Sequence, residues 1–509
     1  MGISPHLSGT LLALLLIGCG GNSKSDTETE TGEAQKDTQT TETGTAETGS
    51  LDTQDSQSID TGTPTTRPFP LLKTSNGQFV EPDGGVVILR GLNVAGNSKV
   101  PDFRPLNRLE DLDPLPSWGM NVIRLLFTWE AYEPVEGQLD TDYLNTLSDI
   151  ADYAGELGLR VIIDFHQDGY SRHLAGGCGD GFPEWTIPPG LTKDTPDNDW
   201  LCITWPVLVS ADPDVHAAYS AFYADTHGVR SRYLGTMSVL AAHFADHPAV
   251  IGFDLMNEPW GWEDSEIAPL YNDAAEVIRA QMPEAILWIE GHASTNNGIT
   301  QSALPKPEFE NYAYAPHFYE AAVLASHIWT GIPTGVEFGF ETMISKARDL
   351  EAPLFVGEFG THGGTLNATA YMELHYDQLD KYFASSVQWN YTPRWTEDFK
   401  DGWNREDLSI VDNTGKLRGN FTIRPQPQRF AGTPMEFLAE DSKVTVRWSN
   451  DPDAGDTRIF LPAEHLWNTT TPQLNTVGSG LACSYDATPM VVSCASEQLG
   501  EMTVFITPP

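Results

Sequence analysis

Two glutamates stand where a carboxyl group can do chemistry: Asn257-Glu258-Pro259 and Gly357-Glu358-Phe359-Gly360. A lone glutamate is more often an ion-pair partner than a catalyst. These two are accompanied by Arg124, His166-Gln167-Asp168, His317-Phe318-Tyr319 and Trp389, and that company shifts the balance. Splitting an acetal requires a proton for the departing oxygen and a negative partner for the oxocarbenium-like centre. Two carboxyl groups ~5–5.5 Å apart supply both, with retention of configuration. Asn257 next to one carboxyl can bond a sugar hydroxyl, Tyr319 can keep the other ionised, and Trp389 offers an apolar face to a ring. A carboxyl buried near a second one is pushed up, as an acid must be. Other chemistries lack their residues. There is no Gly-x-Ser-x-Gly elbow for a serine nucleophile and no His-Glu-x-x-His for a metal. Neither metal nor cofactor is expected, and the Asp451-Pro452-Asp453-Ala454-Gly455-Asp456 turn is read as solvated.

These residues sit at the ends of predicted strands. From about residue 69 short apolar runs alternate with amphipathic stretches, and the runs 86–94, 121–129, 159–166, 250–257, 285–290, 312–317, 353–358 and 386–390 are nearly continuous, as in strands covered on both faces. Helical spacing fills 143–157, 219–245, 268–281, 338–350 and 368–383. The pattern predicts an α/β chain: a (β/α)8 TIM barrel over residues 69–424, whose reacting groups come from the C-terminal ends of its strands. A doubly wound sheet is the competing fold, but no Gly-x-Gly-x-x-Gly turn follows the first strand. After residue 425 strict alternation takes over, as in Lys443-Val444-Thr445-Val446-Arg447-Trp448, which predicts a C-terminal antiparallel β-sandwich over 425–509.

Residues 7–18 form one apolar run, shorter than the ~20 residues a membrane helix needs, and read as the core of a secretion signal over 1–19. Residues 20–68 are rich in Thr, Glu, Gly and Ser and almost bare of large apolar residues, so a disordered tether is expected there. The 509-residue chain has 71 acidic against 29 basic residues, a net charge of −42, and the tether with its ten acidic and three basic residues carries little of it. About −35 therefore belongs to the folded part, which disfavours nucleic acid and anionic ligands and suits a neutral one. Apart from Cys19 the cysteines form two locally spaced pairs, Cys178 with Cys202 and Cys483 with Cys494, and two disulfides are expected in an exported protein.

Two resemblances sharpen this reading. Leu16-Ile17-Gly18-Cys19 resembles a bacterial lipobox, although no Lys or Arg precedes the apolar run. The resemblance implies a lipidated Cys19 and an extracytoplasmic lipoprotein of the outer membrane or cell surface, secreted if the signal is simply cleaved. The strand-end motifs resemble glycoside hydrolase family 5, which implies Glu258 as acid/base, Glu358 as nucleophile, and site positions at Arg124, His166, Asn257, His317, Tyr319 and Trp389. Within that family, Asp164-Phe165-His166-Gln167-Asp168-Gly169, Asp254-Leu255-Met256-Asn257-Glu258-Pro259 and the tail from Arg424-Pro425-Gln426-Pro427 are similar to the endoglycoceramidase branch, over about residues 80–509. That likeness implies a monomeric enzyme cleaving between glycan and ceramide of glycosphingolipids, with Asp168 and Lys99 holding the sugar. A glucosidase on ceramide or steryl glucosides, an endoglucanase or mannanase, and a silent glycan-binding lipoprotein are the alternatives. A glycolipid hydrolase also needs an apolar surface for its leaving group. Residues 169–213, with Phe182, Trp185, Ile187, Leu191, Trp200, Leu201, Ile203, Trp205 and Val207, are expected to form its lip; a satellite cluster over the barrel is the other reading. The segments 176–183 and 390–395 depart from the branch pattern and leave the number of sugars open.

Overall fold

Strands with no polar face must be covered on both sides, and the centre of the molecule is built that way. A computed structural model describes residues 69–196 and 200–509; the expected signal and tether, with Cys19, lie outside the described residues. Eight parallel strands occupy its middle: β1 (Arg90–Val94), β2 (Val122–Thr128), β3 (Arg160–His166), β4 (Val250–Asp254), β5 (Ile286–Ile289), β6 (Tyr312–Tyr314), β7 (Phe355–Val356) and β8 (Ser385–Tyr391). They run β7-β8-β1-β2-β3-β4-β5-β6, and a bridge from Tyr314 to Leu354 joins the last strand to the first and closes the cylinder. The expected barrel is thus present. Every residue of β2 and β3 is buried.

Helices cover the outside. α1 (Thr141–Glu156) starts where the Asp140 side chain accepts from the Tyr143 amide at 3.0 Å. It buries Leu144, Leu147, Ile150, Ala151 and Ala154 along one stripe, at the spacing of a helix face. The single helix predicted over 219–245 is two, α2 (Pro213–Tyr223) and α3 (Val229–Phe244), divided where Asp225 and Gly228 adopt positive φ. α4 (Ala268–Arg279), α5 (Thr334–Asp349) and α6 (Ala368–Tyr382) complete the ring.

The boundary expected near residue 425 is not a clean division of the sequence. The strands Lys73–Ser75, Gln78–Val80 and Val86–Val87, expected within the barrel segment, belong to the seven-stranded sheet of the C-terminal domain, where Val86 and Val87 pair with Phe430 and Arg429. A four-stranded antiparallel sheet (432–440, 443–450, 500–507 and 473–477) packs on it, and Phe430, Val446, Trp448, Ile459, Val492 and Val504 fill the space between. Sequence alternation could not reveal this, because the three leading strands are too short to show a period. Their placement also plugs the barrel. Phe79 packs at 6.3 Å on Trp288, within the cluster of Ile162, Ile251, Ile286, Phe355 and Val387 inside the strands. Glu81 is buried between Arg160 (3.0 Å) and Arg429 (2.7 Å), tying barrel to sandwich.

Truncating Phe79 to alanine removes the plug while leaving the opposite mouth intact. The expected loss is about 3–5 kcal/mol of stability in urea unfolding, with kcat/KM held within about twofold. A stability unchanged to within about 0.5 kcal/mol would contradict this packing role.

Candidate active site

Strand ends at the mouth converge on one buried cation. Arg124 of β2 is fully buried, and its guanidinium makes four hydrogen bonds and one further ion pair. Its Nε donates to Asp254 Oδ2 (3.0 Å), Nη1 to Asn93 Oδ1 (3.0 Å) and Glu358 Oε1 (3.1 Å), and Nη2 to Asn257 Oδ1 (2.9 Å), while Asp164 Oδ1 lies 2.9 Å from Nη2 as a charged partner. Burial works against its charge, but Asp164, Asp254 and Glu358 outweigh it and hold the guanidinium protonated.

Glu358 and Glu258 face each other across this floor. Beyond β6 and β7 the chain makes one more parallel step, in which His317 pairs with Glu358 and Phe318 with Phe359. That register sets the imidazole between the carboxyl groups, and the ligand atoms of Glu258, His317 and Glu358 all lie within 4.8 Å of one another. His317 is pushed down to about 4, by burial above all, with the Glu358 charge opposing and Arg124 assisting, so its ring is neutral. Among the described residues its Nε2 has no hydrogen-bond partner, and its Nδ1 lies 2.9 Å from Glu258 Oε1, which assigns the proton to Nδ1. Asn296 Nδ2 donates to the same oxygen at 3.0 Å. With Oε1 accepting twice, the Glu258 proton belongs on Oε2. Burial, then the like charge of Asp168, pushes Glu258 up to about 7, against Lys99, Asn296 and His166. Glu358 is also raised by burial, but the Arg124 charge opposes it, and Tyr319 Oη donates to its Oε2 at 2.9 Å.

The turn carrying Glu258 is held in a left-handed conformation, φ 42°, which a non-glycine residue keeps only when its surroundings enforce it. Glu290 at the end of β5 accepts the Glu258 amide at 2.5 Å, and Gln167 Nε2 donates to the carbonyls of Asn257 (2.6 Å) and Glu258 (3.1 Å). Gly181 lies against Gln167, where a Cβ would come within 2.3 Å of the Gln167 Cβ; its φ of 104° also excludes other residues.

The third group surrounds Lys99. Its ammonium lies 2.6 Å from Asp168 Oδ2 and 3.9 Å from Asp180, over the rings of Trp403 (3.9 Å to the centroid) and Trp389 (4.5 Å). Burial disfavours the Lys99 charge, yet Asp168 and Asp180 keep it protonated. His166 is raised to about 10 because Asp164, 2.7 Å from its Nδ1, outweighs burial, and its Nε2 lies 3.4 Å from Asp168. Trp389 lies parallel to His166, with ring centroids 5.5 Å apart.

The structure therefore gathers Lys99, Arg124, His166, Asp168, Asn257, Glu258, His317, Tyr319, Glu358 and Trp389 at one end of the barrel. Arg172, four residues after Asp168 in sequence, meets Glu130 at 2.8 Å. Sequence reasoning missed Asn93, Asp180, Glu290, Asn296 and Glu406. Asn93 and Glu290 stand at strand ends and could have been found by position; the others lie on loops without period. A carboxylate cluster of His166, Asp168 and Asp180 has metal-like geometry, but the Lys99 ammonium already supplies its positive charge.

Of the 169–213 insertion expected to form a lip, Ile203 and Val207 are exposed, whereas its leading aromatics turn inward. Phe182 is buried against Tyr170 (4.4 Å) and Tyr233 (5.4 Å), and Trp185 packs on Trp129 (5.4 Å), so these aromatics extend the barrel core. A disulfide joins Cys178 to Cys202, and another joins Cys483 to Cys494 across two paired strands of the sandwich.

A closed barrel presenting two such carboxyl groups at its mouth is the architecture of a glycoside hydrolase. A family model described as cellulase (glycosyl hydrolase family 5) matches residues 80–394, and the chain belongs to that family. More particularly, it is 24% identical over 432 residues to endoglycoceramidase I of Rhodococcus hoagii, covering 78% of this chain and 81% of that one. An endoglycoceramidase of Cyanea nozakii is 26% identical over 360 residues, covering 64% of this chain and 69% of its own. Among solved structures, endo-glycoceramidase II from Rhodococcus sp. with a cellobiose-like isofagomine is 26% identical, with a TM-score of 0.71 over 84% of this chain and 99% of that one.

The Glu258 carboxyl is expected to keep its proton to about pH 7. Infrared difference spectra of wild type against Glu258→Gln should show a protonated carboxyl band lost with a midpoint near 7, and a midpoint in the ordinary carboxylate range would contradict the environment described.

Proposed function

We propose that this chain is a retaining β-glycosidase that cleaves the bond between glycan and ceramide of glycosphingolipids, with Glu258 as acid/base and Glu358 as nucleophile. The observation that carries the chemistry is that one oxygen of each carboxyl group lies within 4.8 Å of the other, well short of the ~6.5–9.5 Å separation of an inverting pair. The endoglycoceramidase likeness of the relatives supports the lipid substrate. So do Trp262 and Ile299, both strongly exposed apolar residues: the first follows Glu258 by four residues, the second follows its hydrogen-bond partner Asn296 by three.

In the first step a Glu358 oxygen attacks the anomeric carbon. The bond to the ceramide oxygen breaks, and that oxygen takes the proton from Glu258 Oε2. The product is a glycosyl ester of Glu358 and free ceramide. In the second step Glu258, now ionised, takes a proton from water as the water oxygen attacks the same carbon, releasing the glycan with its β configuration and restoring both groups. Arg124 and Tyr319 stabilise the departing Glu358 carboxylate. Lys99, His166, Asp168 and Asn257 bind sugar hydroxyls, and the Trp389 ring lies beneath the sugar.

The enzyme acts as a monomer held at a membrane through lipid on Cys19, as an extracytoplasmic lipoprotein. The lipobox-like sequence supports this; among the described residues no helix is long and apolar enough to cross a membrane. Cys19→Ala is expected to move the enzyme from the membrane fraction to the soluble one at unchanged specific activity, and retention in the membrane fraction would sink the anchor.

Glu258→Gln and Glu358→Gln should each lower kcat/KM on a fluorescent glycosphingolipid about 10³-fold or more. Only the first should retain activity towards aryl glycosides, whose leaving groups need no proton. Residual lipid turnover within about tenfold of wild type would refute the assignment. Because the acid is competent only while protonated, kcat/KM should fall as pH rises through about 7. Asp168→Asn removes the like charge and frees Lys99, both of which stabilise ionised Glu258, so this limb should move to lower pH.

A further inference from the structure

Three loops meet over Lys99. One follows β1 and carries Lys99; the second is the 169–213 insertion; the third, residues 392–408, follows β8. They are fastened together. Trp205 of the insertion packs on Trp403 of the third loop with centroids 5.0 Å apart, and its Nε1 donates to Glu406 Oε1 at 3.0 Å. Asn404 Nδ2 donates to the carbonyl of Cys178 at 2.8 Å, and the disulfide from Cys178 to Cys202 holds the strip of insertion just before Trp205. Asp401 is bound by Asn390 Nδ2 at 3.1 Å, which roots the third loop in the end of β8. Glu406 also lines one small void with Trp389, so the carboxyl group stands between the wall and the sugar platform.

This junction lies over Lys99. Its ammonium faces the Trp403 ring at 3.9 Å; Lys99 is 7% exposed and Asp168 3%. The void left among Lys99, Trp389, Trp403 and Glu406 is about 10 Å³, room for one water. In a hexopyranose C1 and C4 are at opposite ends of the ring. With C1 over the two glutamates, the distal hydroxyls point at Lys99, Asp168 and Glu406, a cation and two carboxyl groups suited to hydroxyls. The next sugar of a longer glycan hangs from one of those same oxygens and would have to occupy the place of Trp403.

We infer that the pocket is blind after one hexose, and that the substrate is therefore a ceramide bearing a single neutral hexose, with Trp403 and Glu406 as the specificity-determining residues. This rests on the ceramide reading for its leaving group, but the one-sugar limit is a property of the wall alone. Trp205 and Asn404 are positioning residues: they hold the wall without touching the sugar.

Two parallel substrate series test it. Glucosyl-, galactosyl- and lactosylceramide are compared in detergent, beside the 4-nitrophenyl β-glucoside, β-galactoside and β-lactoside, with nitrophenol release as the readout. In each series the better monohexoside should exceed the lactoside about 100-fold in kcat/KM. Trp403→Ala should raise the lactoside-to-monohexoside ratio about tenfold or more. Trp205→Phe, which keeps a ring and removes only the donor to Glu406, should raise it in the same direction by less. Comparable turnover of lactoside and monohexoside by the wild type, or a ratio unmoved in both variants, overturns the proposal. The two readings fail separately. Aryl monohexosides split while every ceramide is spared would leave the wall standing and remove the lipid. Ceramides split regardless of glycan length would keep the lipid and remove the wall.

Discussion

A guanidinium shut away from water must be matched donor by donor, and the mouth of this barrel is arranged about that need. Arg124 draws one acceptor from β1, one from β4, one from the turn after β4 and one from the segment after β7, and a charged partner, Asp164, from β3. An unpaired buried charge costs several kcal/mol, so the five segments are held in register by the same contacts that orient Glu358. Asn257 is fixed through the same guanidinium, with its amide oxygen engaged and its nitrogen turned towards Asp168 (3.3 Å). Position of the nucleophile and integrity of the barrel mouth are thereby one property.

The charge of the site differs from what a count of acidic residues suggests. Three cations line it: Arg124, Lys99 and His166. Burial drives Asp254 up to about 7, Asp180 and Glu290 well above the usual range, and Glu406 upward as well. Groups that cannot be solvated give up their charge more readily than they give up their place. The cleft is therefore far closer to neutral than the surface of a chain carrying −42, and a neutral sugar loses little on entering it. The chemistry sits on strand ends, whereas the walls come from loops tied to one another by Trp205, Asn404 and a disulfide. Bond cleavage and choice of substrate thus reside in separate regions of the fold.

How much of this was legible in the sequence follows from range. Both glutamates, Arg124, His166, Asp168, Asn257, His317, Tyr319 and Trp389 stand at or beside the ends of continuous apolar runs, and a barrel brings all such ends to one face. Lys99 was placed by motif likeness, and it meets Asp168 at 2.6 Å. Asn296 and Glu406 escaped because a loop residue acquires its neighbours only when the chain returns from elsewhere. The insertion misled for a related reason: Phe182 and Trp185 read equally well as an apolar lip or as core, and only the Tyr170, Tyr233 and Trp129 rings they meet decide between the two.

By itself the sequence determined the alternation of strand and helix, the closed barrel, the family and the place of the two glutamates at strand ends, because each is written in a local period or a short motif. Tertiary structure decided what no period carries. It put the leading strands into the sheet of the distant β-sandwich and Phe79 into the floor of the barrel. It also gave the two glutamates different surroundings and set Trp403 over Lys99. All four outcomes depend on contacts between segments far apart in the chain, and packing and burial act on those contacts only after the chain has closed on itself.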